Sequence, residues 1–253
     1  MQYPKHIAIT GASSGIGAAL AERYAMPGIH LSLHGRDPIR LTKTATRAER
    51  QGAIVTTKCG EVTDTKTVAS WIESCDAIEP LDLIIANAGI SAGTGRGYES
   101  DDQSRAIFNT NVTGVLNTIQ PAMPIMMRRR RGQIAIMSSL AGFRGIPGAP
   151  SYAASKAAVR IYGEALRNEM AHFDVEVNVI CPGFIKTPMT EVNRFAMPFI
   201  MPAARAAQII KEGLAKNKAR IAFPFPMYAL VRLMAALPLS WTDPLLRHMP
   251  KKS

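Results

Sequence analysis

Short apolar runs rich in β-branched residues alternate along the chain with longer segments whose apolar residues recur at helical spacing. The runs predict strands at 6–10, 29–34, 53–58, 81–86, 132–138, 175–181 and 219–223. The segments between them predict helices near 15–25, 38–51, 64–76, 102–128, 151–172 and 203–217. Such alternation is typical of parallel strands joined by right-handed helical crossovers.

The strand runs are mostly continuous apolar stretches, which indicates a sheet that is covered on both faces. The predicted fold class is therefore α/β: a doubly wound, Rossmann-type parallel sheet of about seven strands with helices on both faces. No linker divides the 253 residues, and this length suits one large domain. We interpret 1–253 as a single domain.

Composition and charge exclude several functional classes. The chain has a net charge of +11, but no zinc-finger spacing, RNA-binding motif or long basic block, so we expect no nucleic-acid partner. The arginines at 128–131 fit a solvated helix end. Scattered cysteines and histidines predict neither a disulfide framework nor a metal site. A strand-like run from His6 leaves no room for a signal peptide, and no apolar run is long enough for a bilayer, so we expect a cytoplasmic protein.

A glycine-rich loop, Thr10-Gly-Ala-Ser-Ser-Gly-Ile-Gly17, follows the first predicted strand and leads into a helical pattern. Its glycines would allow a tight turn, close approach of the backbone to a pyrophosphate and close helix–strand packing. Amide groups at the helix start would hold the anion. Such turns also occur for packing alone, but the strand–loop–helix context favours dinucleotide binding.

Tyr152 and Lys156 lie four residues apart in a predicted helix that begins near Ser151, so both side chains project from one face. An ammonium group beside a phenol stabilises the phenolate. The spacing therefore predicts a lowered pKa for Tyr152, and the helix dipole would act in the same direction. By itself the pair is a weak signal, because the spacing also arises by chance.

Five motifs, in order and at fitting separations, make the chain similar to the short-chain dehydrogenases/reductases of the non-extended type. They span about residues 5–190 and comprise Thr10–Gly17, Asn87-Ala-Gly89, Ser138-Ser139, the Tyr152/Lys156 pair and Pro182-Gly183. The resemblance implies the catalytic set Asn111, Ser139, Tyr152 and Lys156. It implies cofactor contacts from Gly11, Ser13, Ser14, Gly15, Ile16, Gly17, Arg36, Glu61, Val62, Asn87, Ala88, Gly89, Tyr152, Lys156, Pro182, Gly183, Ile185 and Thr187.

The resemblance also assigns a role to each catalytic residue. Tyr152 would protonate the carbonyl oxygen during reduction, and Ser139 would donate a hydrogen bond to that oxygen. Lys156 would lower the phenol pKa and hydrogen-bond the nicotinamide ribose. Asn111 would bend its helix locally and hold a water that connects Lys156 to solvent. Hydride transfer to a carbonyl places negative charge on oxygen, which is why donors must converge there.

The end of the second predicted strand bears on the choice between NADP(H) and NAD(H). Arg36 lies close to where NADP enzymes place a cation, whereas NAD enzymes place a carboxylate at this strand end. Asp37 competes, but Pro38 after it fits a helix N-cap. Ser14 stands where many NADP-dependent relatives carry arginine, and Glu61 where the family usually has an adenine-contacting aspartate. The position of Arg36 favours NADP(H).

Segment 186–203 resembles the family's substrate lid, with Thr187 near the nicotinamide carboxamide. Its Met and Phe side chains would suit a lipophilic substrate, or would pack on a core of their own. We expect NADP(H)-dependent interconversion of a carbonyl and a secondary alcohol in a lipophilic or acyl substrate. One alternative is reduction of a 3-oxoacyl thioester on an acidic carrier protein, which the positive charge would help recruit. Another is a non-catalytic dinucleotide-sensing or scaffold protein.

The C-terminal extension, 224–253, combines an apolar helical pattern with basic residues. The pattern is too short to cross a bilayer, but it could lie on an anionic membrane surface. A subunit interface or a cover over the substrate pocket is the alternative. The resemblance further implies a homodimer or homotetramer, assembled through the helices predicted at 102–128 and 151–172.

Overall fold

A seven-stranded parallel sheet lies at the centre of the protein in this computed structural model, which describes residues 3–94, 97–145, 147–193 and 195–247. The strands in chain order are β1 (His6–Thr10), β2 (His30–Gly35), β3 (Ile54–Cys59), β4 (Leu83–Ala86), β5 (Gly132–Met137), β6 (Val175–Pro182), β7 (Ile185–Lys186), β8 (Met201–Pro202) and β9 (Arg220–Phe223). The main sheet has the order β3-β2-β1-β4-β5-β6-β9, and β7 pairs with β8 separately. The Rossmann-type fold class is confirmed, and all pairs within the sheet are parallel.

Helices cover both faces of this sheet. They are α1 (Gly15–Tyr24), α2 (Pro38–Glu49), α3 (Thr65–Ile78), α4 (Asp101–Phe108), α5 (Gly114–Ile119), α6 (Ala122–Arg129), α7 (Pro150–Ala171), α8 (Pro188–Glu191), α9 (Ala203–Ala215), α10 (Phe225–Ala236) and α11 (Leu239–Arg247). Alternate strand residues face two apolar cores, one beneath α1, α2 and α9 and the other beneath α3, α5, α6 and α7. Burial on both faces explains the continuous apolar strand sequences.

The single helix predicted over 102–128 is interrupted. A π-helical turn at Asn109–Thr113 separates α4 from α5, and a break at residues 120–121 separates α5 from α6. Pro121 accounts for the second break, because proline lacks the amide hydrogen of a continuing helix. The π turn widens the helix around Asn111 and places this residue in the protein interior.

The C-terminal extension contains α10 and α11, while its last residues, 248–253, lie outside the described residues. Arg144 Nη2 lies 2.8 Å from Asp243 Oδ1 and fixes α11 to the loop after β5. Met227 of α10 packs close to Gly183. Within the part of the chain described here, no helix has both the length and the apolar character needed to cross a membrane.

Candidate active site

A cleft opens at the carboxyl ends of the strands, where the sheet order reverses between β1 and β4. Open α/β sheets bind their ligands at this position. The sequence-predicted residues that line the cleft are Gly11, Ser13, Ser14, Gly15, Ile16, Arg36, Val62, Asn87, Ala88, Gly89, Ser139, Tyr152, Lys156, Pro182, Gly183, Ile185 and Thr187. Gly17, Glu61 and Asn111 were predicted as site residues, but they do not line it.

The β1–α1 loop forms a cradle in which side chains would not fit. Gly11 adopts φ +68°, and a Cβ on it would lie 2.8 Å from the Ala88 Cα. Gly17 has its role in packing, since a Cβ there would lie 2.2 Å from the Gly11 carbonyl oxygen. The Ser14 side chain makes no capping hydrogen bond to α1, so the first-turn amides are left to other acceptors.

Asn87 fixes this cradle to the end of β4. Its Nδ2 donates to the Thr10 carbonyl at 3.0 Å and to the Gly11 carbonyl at 3.2 Å. The Thr10 hydroxyl in turn accepts from the Asn87 and Ala88 amides. The loop is therefore held by bonds from a neighbouring strand, which preorganises it for a ligand.

Tyr152 and Lys156 project from α7 into the cleft, with the Lys156 Nζ 5.8 Å from the centre of the Tyr152 ring. Lys156 is only 3% exposed and its Nζ donates to the Met137 carbonyl at 3.0 Å. Burial lowers the pKa of Lys156 to about 8. Gly89 makes room for this ammonium, because a Cβ there would lie 3.3 Å from the Nζ.

The prediction of a lowered Tyr152 pKa is wrong for this structure. Burial raises the pKa of the phenol, and a hydrogen bond with Ser139 only partly offsets that effect. Lys156 is not among the groups that shift it. The physical reason is desolvation, because burial disfavours the charged form of the phenol and of the neighbouring ammonium alike.

Ser138 and Ser139 have different hydrogen-bond partners, since successive side chains along an extended backbone point to opposite sides. Ser139 Oγ accepts from the Ala141 amide at 3.1 Å, and lies 3.4 Å from the Pro182 carbonyl. Ser138 Oγ donates to the Lys156 carbonyl at 2.7 Å and so braces α7 against β5. Ser139 hydrogen-bonds Tyr152, so its hydroxyl lies beside the phenol in the cleft.

Asn111 supports the site from behind. Its Oδ1 accepts from the Ile90 amide at 2.8 Å, and its Nδ2 donates to the Ile90 carbonyl and to Ser155 Oγ. The side chain thus connects the segment after β4 to α7. The water-holding role expected for Asn111 stays a prediction.

The cleft wall formed by the carboxyl ends of β2 and β3, the adenosine end, carries two arginines. The Arg36 side chain is 58% exposed, and its Nη1 lies 3.8 Å from Glu61 Oε1. Asp37 caps α2 by accepting from the Arg40 amide, and its other oxygen lies 2.7 Å from Arg40 Nε. Those bonds lower the pKa of Asp37. The carboxylate is therefore occupied within α2, as the N-cap interpretation expected.

The segment predicted as a lid begins at β7 and ends at α9. Met189 lines the cleft, while Phe199 and Ile200 are exposed. Phe195 packs edge-to-face on Phe184, with ring centres 6.0 Å apart. Arg194, within this segment, lies outside the described residues.

Comparison with known proteins agrees with this geometry. The family model described as short chain dehydrogenase matches residues 5–197. The chain belongs to the short-chain dehydrogenase family. An uncharacterised oxidoreductase from Myxococcus xanthus is 36% identical over 245 residues, which cover 95% of this chain and 96% of the relative. A 3-oxoacyl-[acyl-carrier-protein] reductase from Thermotoga maritima is 34% identical over 184 residues, 72% of this chain and 75% of the relative.

A solved short-chain dehydrogenase/reductase from Burkholderia phymatum, in complex with NAD, has the same fold. Its TM-score is 0.84 at 24% identity, covering 100% of this chain and 99% of that one. This chain is therefore an oxidoreductase that acts on an alcohol or carbonyl group with a nicotinamide dinucleotide.

Several residues of the dehydrogenase cleft were not predicted from the sequence. They are His34, Gly35, Arg40, Gly60, Ile90, Thr110 and Met137, while Pro188, Met189 and Thr190 belong to the segment predicted as the lid. His34 had a detectable signal, since β2 reads His-Leu-Ser-Leu-His, with polar residues at alternate positions. Alternation places these polar side chains on one face of the strand. The loop residues had no such signal, because their position depends on tertiary packing.

Proposed function

We propose that this dehydrogenase is an NADP(H)-dependent enzyme that interconverts a carbonyl and a secondary alcohol, with Tyr152 as the proton-transferring group. The observation that carries the proposal is the buried hydrogen bond between Tyr152 and Ser139. It lies in the same cleft as the glycine cradle and the Lys156 ammonium. Proton donors and a dinucleotide cradle are thus combined in one site.

The residues present fit a nicotinamide dinucleotide. The glycines let the β1–α1 loop lie close to the end of β4, since a Cβ on Gly11 would meet Ala88 and a Cβ on Gly17 would meet Gly11, and the compact loop brings the start of α1 to the cleft. The amides at the start of α1 would hold the pyrophosphate, and Lys156 would hold the nicotinamide ribose. When bound, the nicotinamide supplies or accepts the hydride.

Tyr152 and Ser139 would then manage the charge that develops on the substrate oxygen. Because burial raises the pKa of Tyr152, the phenol keeps its proton at neutral pH and can donate it to a carbonyl oxygen. In the oxidative direction the phenolate form would take a proton from the alcohol. Ser139 would donate a second hydrogen bond to the same oxygen, which stabilises the oxyanion.

NADP(H) is the preferred cofactor in this proposal. Arg36 and Arg40 line the adenosine end, where a 2′-phosphate would lie. Asp37, the cleft-lining carboxylate that could instead accept from ribose hydroxyls, is engaged by Arg40, and Glu61 lies beside Arg36. Two arginines on this wall and an occupied Asp37 favour the phosphate over the free 2′-hydroxyl.

The substrate we propose is lipophilic or an acyl thioester. Ile90, Ile185 and Met189 provide apolar lining near the catalytic groups. The 3-oxoacyl thioester of an acidic carrier protein remains the alternative, supported by the Thermotoga relative and the charge of +11. Salt distinguishes the two substrates. Turnover of a carrier-bound substrate should fall with ionic strength, because charge attraction is screened, whereas binding of a lipophilic substrate in an apolar pocket should not.

The test is NADPH consumption by the purified protein against a panel of aliphatic and aromatic ketones, 3-oxoacyl thioesters of pantetheine, and 3-oxoacyl carrier protein. We expect turnover with at least one member. Salt-sensitive turnover restricted to carrier-bound thioesters would favour the acyl-carrier alternative. Dinucleotide binding with no turnover on any member would contradict the proposed activity and favour the non-catalytic alternative.

We also propose a homodimer or homotetramer that assembles through α4 to α7. Phe108 on α4 and Ile161 on α7 are both exposed, and an apolar residue on a long helix face is suited to an interface. Light scattering at several concentrations checks this, and an Ile161→Glu variant should shift the protein towards monomer. An unchanged mass for that variant would contradict the use of α7.

For localisation we propose the cytoplasm, with peripheral membrane contact through the C-terminal extension. Phe225, Leu230, Leu233 and Trp241 are exposed on α10 and α11, with Trp241 at 71%. Apolar and aromatic residues of this kind bind at membrane interfaces. Flotation with anionic vesicles should retain the protein, and a Leu230→Glu/Leu233→Glu variant should float less. Absence of binding by the unaltered chain would exclude the membrane contact.

A further inference from the structure

A short helical turn determines where the Ser139 hydroxyl lies. One turn of 3₁₀ helix, Leu140–Gly142, follows Ser139 directly, and the Ser139 hydroxyl accepts from the Ala141 amide within it. A Cβ on Gly142 would lie 2.7 Å from the Lys156 carbonyl carbon, so this turn lies against the backbone of α7. Hydrogen bonds in 3₁₀ turns have poorer geometry than those in α-helices. The position of the turn therefore depends on the residues that surround it.

Arg160 of α7 connects this turn to the helix that carries the catalytic pair. It follows Lys156 by four residues and Tyr152 by eight, which places all three on one face of α7. Arg160 Nε donates to the Gly142 carbonyl at 3.2 Å, at the end of the turn where a carbonyl lacks an internal partner. The guanidinium carbon lies 4.6 Å from the centre of the Phe143 ring. One side chain thus holds the end of the turn and the residue after it.

The Arg160 guanidinium is itself held in place by Glu164. Arg160 Nη1 lies 3.1 Å from each Glu164 carboxylate oxygen, and Arg220 of β9 donates to the same carboxylate. Burial opposes ionisation of Glu164, but the hydrogen bonds from Arg220 and Arg160 lower its pKa, so the carboxylate is charged at neutral pH. Arg220 also lies 5.2 Å from the Phe143 ring centre. These contacts fix Arg160, whose side chain is only 15% exposed.

A second arginine on α7 has partners of a different kind. Arg167 donates to the Val177 carbonyl and to both the side chain and the carbonyl of Asn217. Its described bonds reach the edge of the sheet where the strands begin, away from the cleft. Arg167 therefore serves the fold, and it is a matched control for Arg160 on the same helix.

We propose that Arg160 is a positioning residue of this dehydrogenase, which holds the Leu140–Gly142 turn against α7 and so keeps the Ser139 hydroxyl beside the Tyr152 phenol. The inference rests on the proposed function of Ser139 and Tyr152, and it adds a residue outside the cleft. Ser139 follows β5 whereas Tyr152 lies on α7, so their separation depends on contacts between these two elements. A displacement of about 1 Å in an active site can cost about 100-fold in rate.

The test is a double-variant cycle between Arg160→Leu and Ser139→Ala. Ser139→Ala should lower kcat about 100-fold, because it removes a donor to the developing oxyanion. Arg160→Leu should lower kcat about tenfold, because Ser139 is displaced rather than removed. Substrate KM and NADPH affinity should stay nearly unchanged. The double variant should turn over as slowly as Ser139→Ala alone, and Arg167→Leu should lose stability but keep its kcat.

Fluorine NMR reads the same cycle without turnover. In protein labelled with 3-fluorotyrosine, the variant Tyr152→Phe identifies the Tyr152 signal. Loss of the Ser139 hydrogen bond changes the electron density of the phenol ring, so Ser139→Ala and Arg160→Leu should each shift this signal. The double variant should shift it no further than Ser139→Ala, and Arg167→Leu should leave it unchanged.

Several results would contradict this role of Arg160. Effects of the two single variants that combine independently, in kcat or in the fluorine shift, would show that Arg160 does not act through Ser139. An unchanged Tyr152 signal in Arg160→Leu would overturn the inference as well. Absence of turnover by the unaltered chain would instead contradict the proposed function, while the fluorine cycle would still decide the inference. If Arg160→Leu does not fold, Arg160→Lys keeps the charge opposite Glu164 but loses the planar group over Phe143, and the same cycle should give smaller effects of the same pattern.

Discussion

The polar face of β2 meets two different environments at its two ends. At the amino end, Ser32 Oγ lies 2.8 Å from His6 Nε2 and 2.9 Å from Thr56 Oγ1, and His6 stacks on His30 with ring centres 4.3 Å apart. At the carboxyl end, the His34 Nε2 is buried beneath Gly60 and has no hydrogen-bond partner among the described residues. Both ends are buried, but only the amino end is internally satisfied.

The same contrast holds for charged groups. At the edge of the sheet where the strands begin, Arg129 pairs with Asp76 and Arg131 pairs with Asp82, both within 2.9 Å. At the edge where the strands end, the Lys156 ammonium donates to the Met137 carbonyl, and the bonds described for it include no carboxylate. The comparison teaches that burial of a polar group is not itself a sign of function. The sign of function is a buried group left available to a ligand.

Tyr152→Phe gives the largest expected effect and concerns only the carboxyl end. It removes the phenolic proton but keeps the ring, so turnover should fall about 100-fold or more, the scale of lost general acid catalysis. NADPH affinity and thermal stability should stay near those of the unaltered enzyme. Steady-state kinetics, NADPH titration and thermal denaturation measure these three quantities. Near-normal turnover would remove Tyr152 from its proposed role.

The variants His6→Leu and His34→Leu test whether the paired and the unpaired histidine of the sheet contribute differently to the free energy of unfolding. His6→Leu removes the described partner of the Glu79 carbonyl and one of the two partners of Ser32 Oγ, so the free energy of unfolding should drop by about 1–3 kcal/mol. His34→Leu removes a nitrogen that has no such bond, and should cost the cofactor-free protein less. Urea denaturation of both variants checks this. An equal loss of unfolding free energy in the two variants would contradict the difference between the two histidines.

The pH dependence of stability should come largely from these histidines between pH 7 and pH 5. The folded-state pKa of His34, about 4, lies below its ordinary value of about 6.5, and burial also lowers the pKa of His6. The unfolded chain therefore binds more protons in this window. Stability is full above pH 6.5 and falls as the pH drops, by about 2 kcal/mol for His34 between pH 7 and 5.

Denaturation of His34→Leu at the two pH values isolates that contribution. The variant should lose less stability on acidification than the unaltered protein, while His172→Leu, which replaces an exposed histidine as a control, should lose as much. An identical loss in the variant and the unaltered protein would contradict a neutral, buried His34.

Arg36→Ala should have the smallest effect, and that effect should be confined to the binding of NADPH. Loss of a charge-assisted contact to a 2′-phosphate should weaken NADPH about tenfold and leave NADH nearly unchanged. Lys43→Ala, on the exposed surface of α2, is a matched control outside the cleft. Equal weakening of NADPH and NADH by Arg36→Ala would contradict a phosphate-specific role.

The strand pattern of the sequence predicted most of the fold. Each of the seven predicted strands lies within two residues of an observed one at either end. The central strands β1, β4 and β5 are buried on both faces and give continuous apolar runs, whereas the edge strand β3 is largely exposed. The helix predicted over 102–128 was wrong as a single element. Helical spacing alone does not reveal a π turn, which depends on tertiary hydrogen bonds such as those from Asn111 to Ile90.

The glycine loop and the Tyr152 pair could be found from sequence because local spacing fixes their geometry. The pKa of Tyr152 could not, because it depends on how far the surrounding elements desolvate the phenol. The arginines at 128–131 were interpreted as a solvated helix end, but three of them pair with aspartates distant in sequence. Partners that only the fold brings together give no local signal.

Fluorescence titration of the full chain with NADPH and NADH tests dinucleotide binding most directly. We predict saturable binding of both, with NADPH tighter, because both cofactors share the glycine loop and the arginines at the end of β2 favour the 2′-phosphate. Binding of NADH tighter than NADPH would contradict the cofactor preference. Absence of binding by either dinucleotide would contradict the central claim that the carboxyl end of the sheet is built for this ligand.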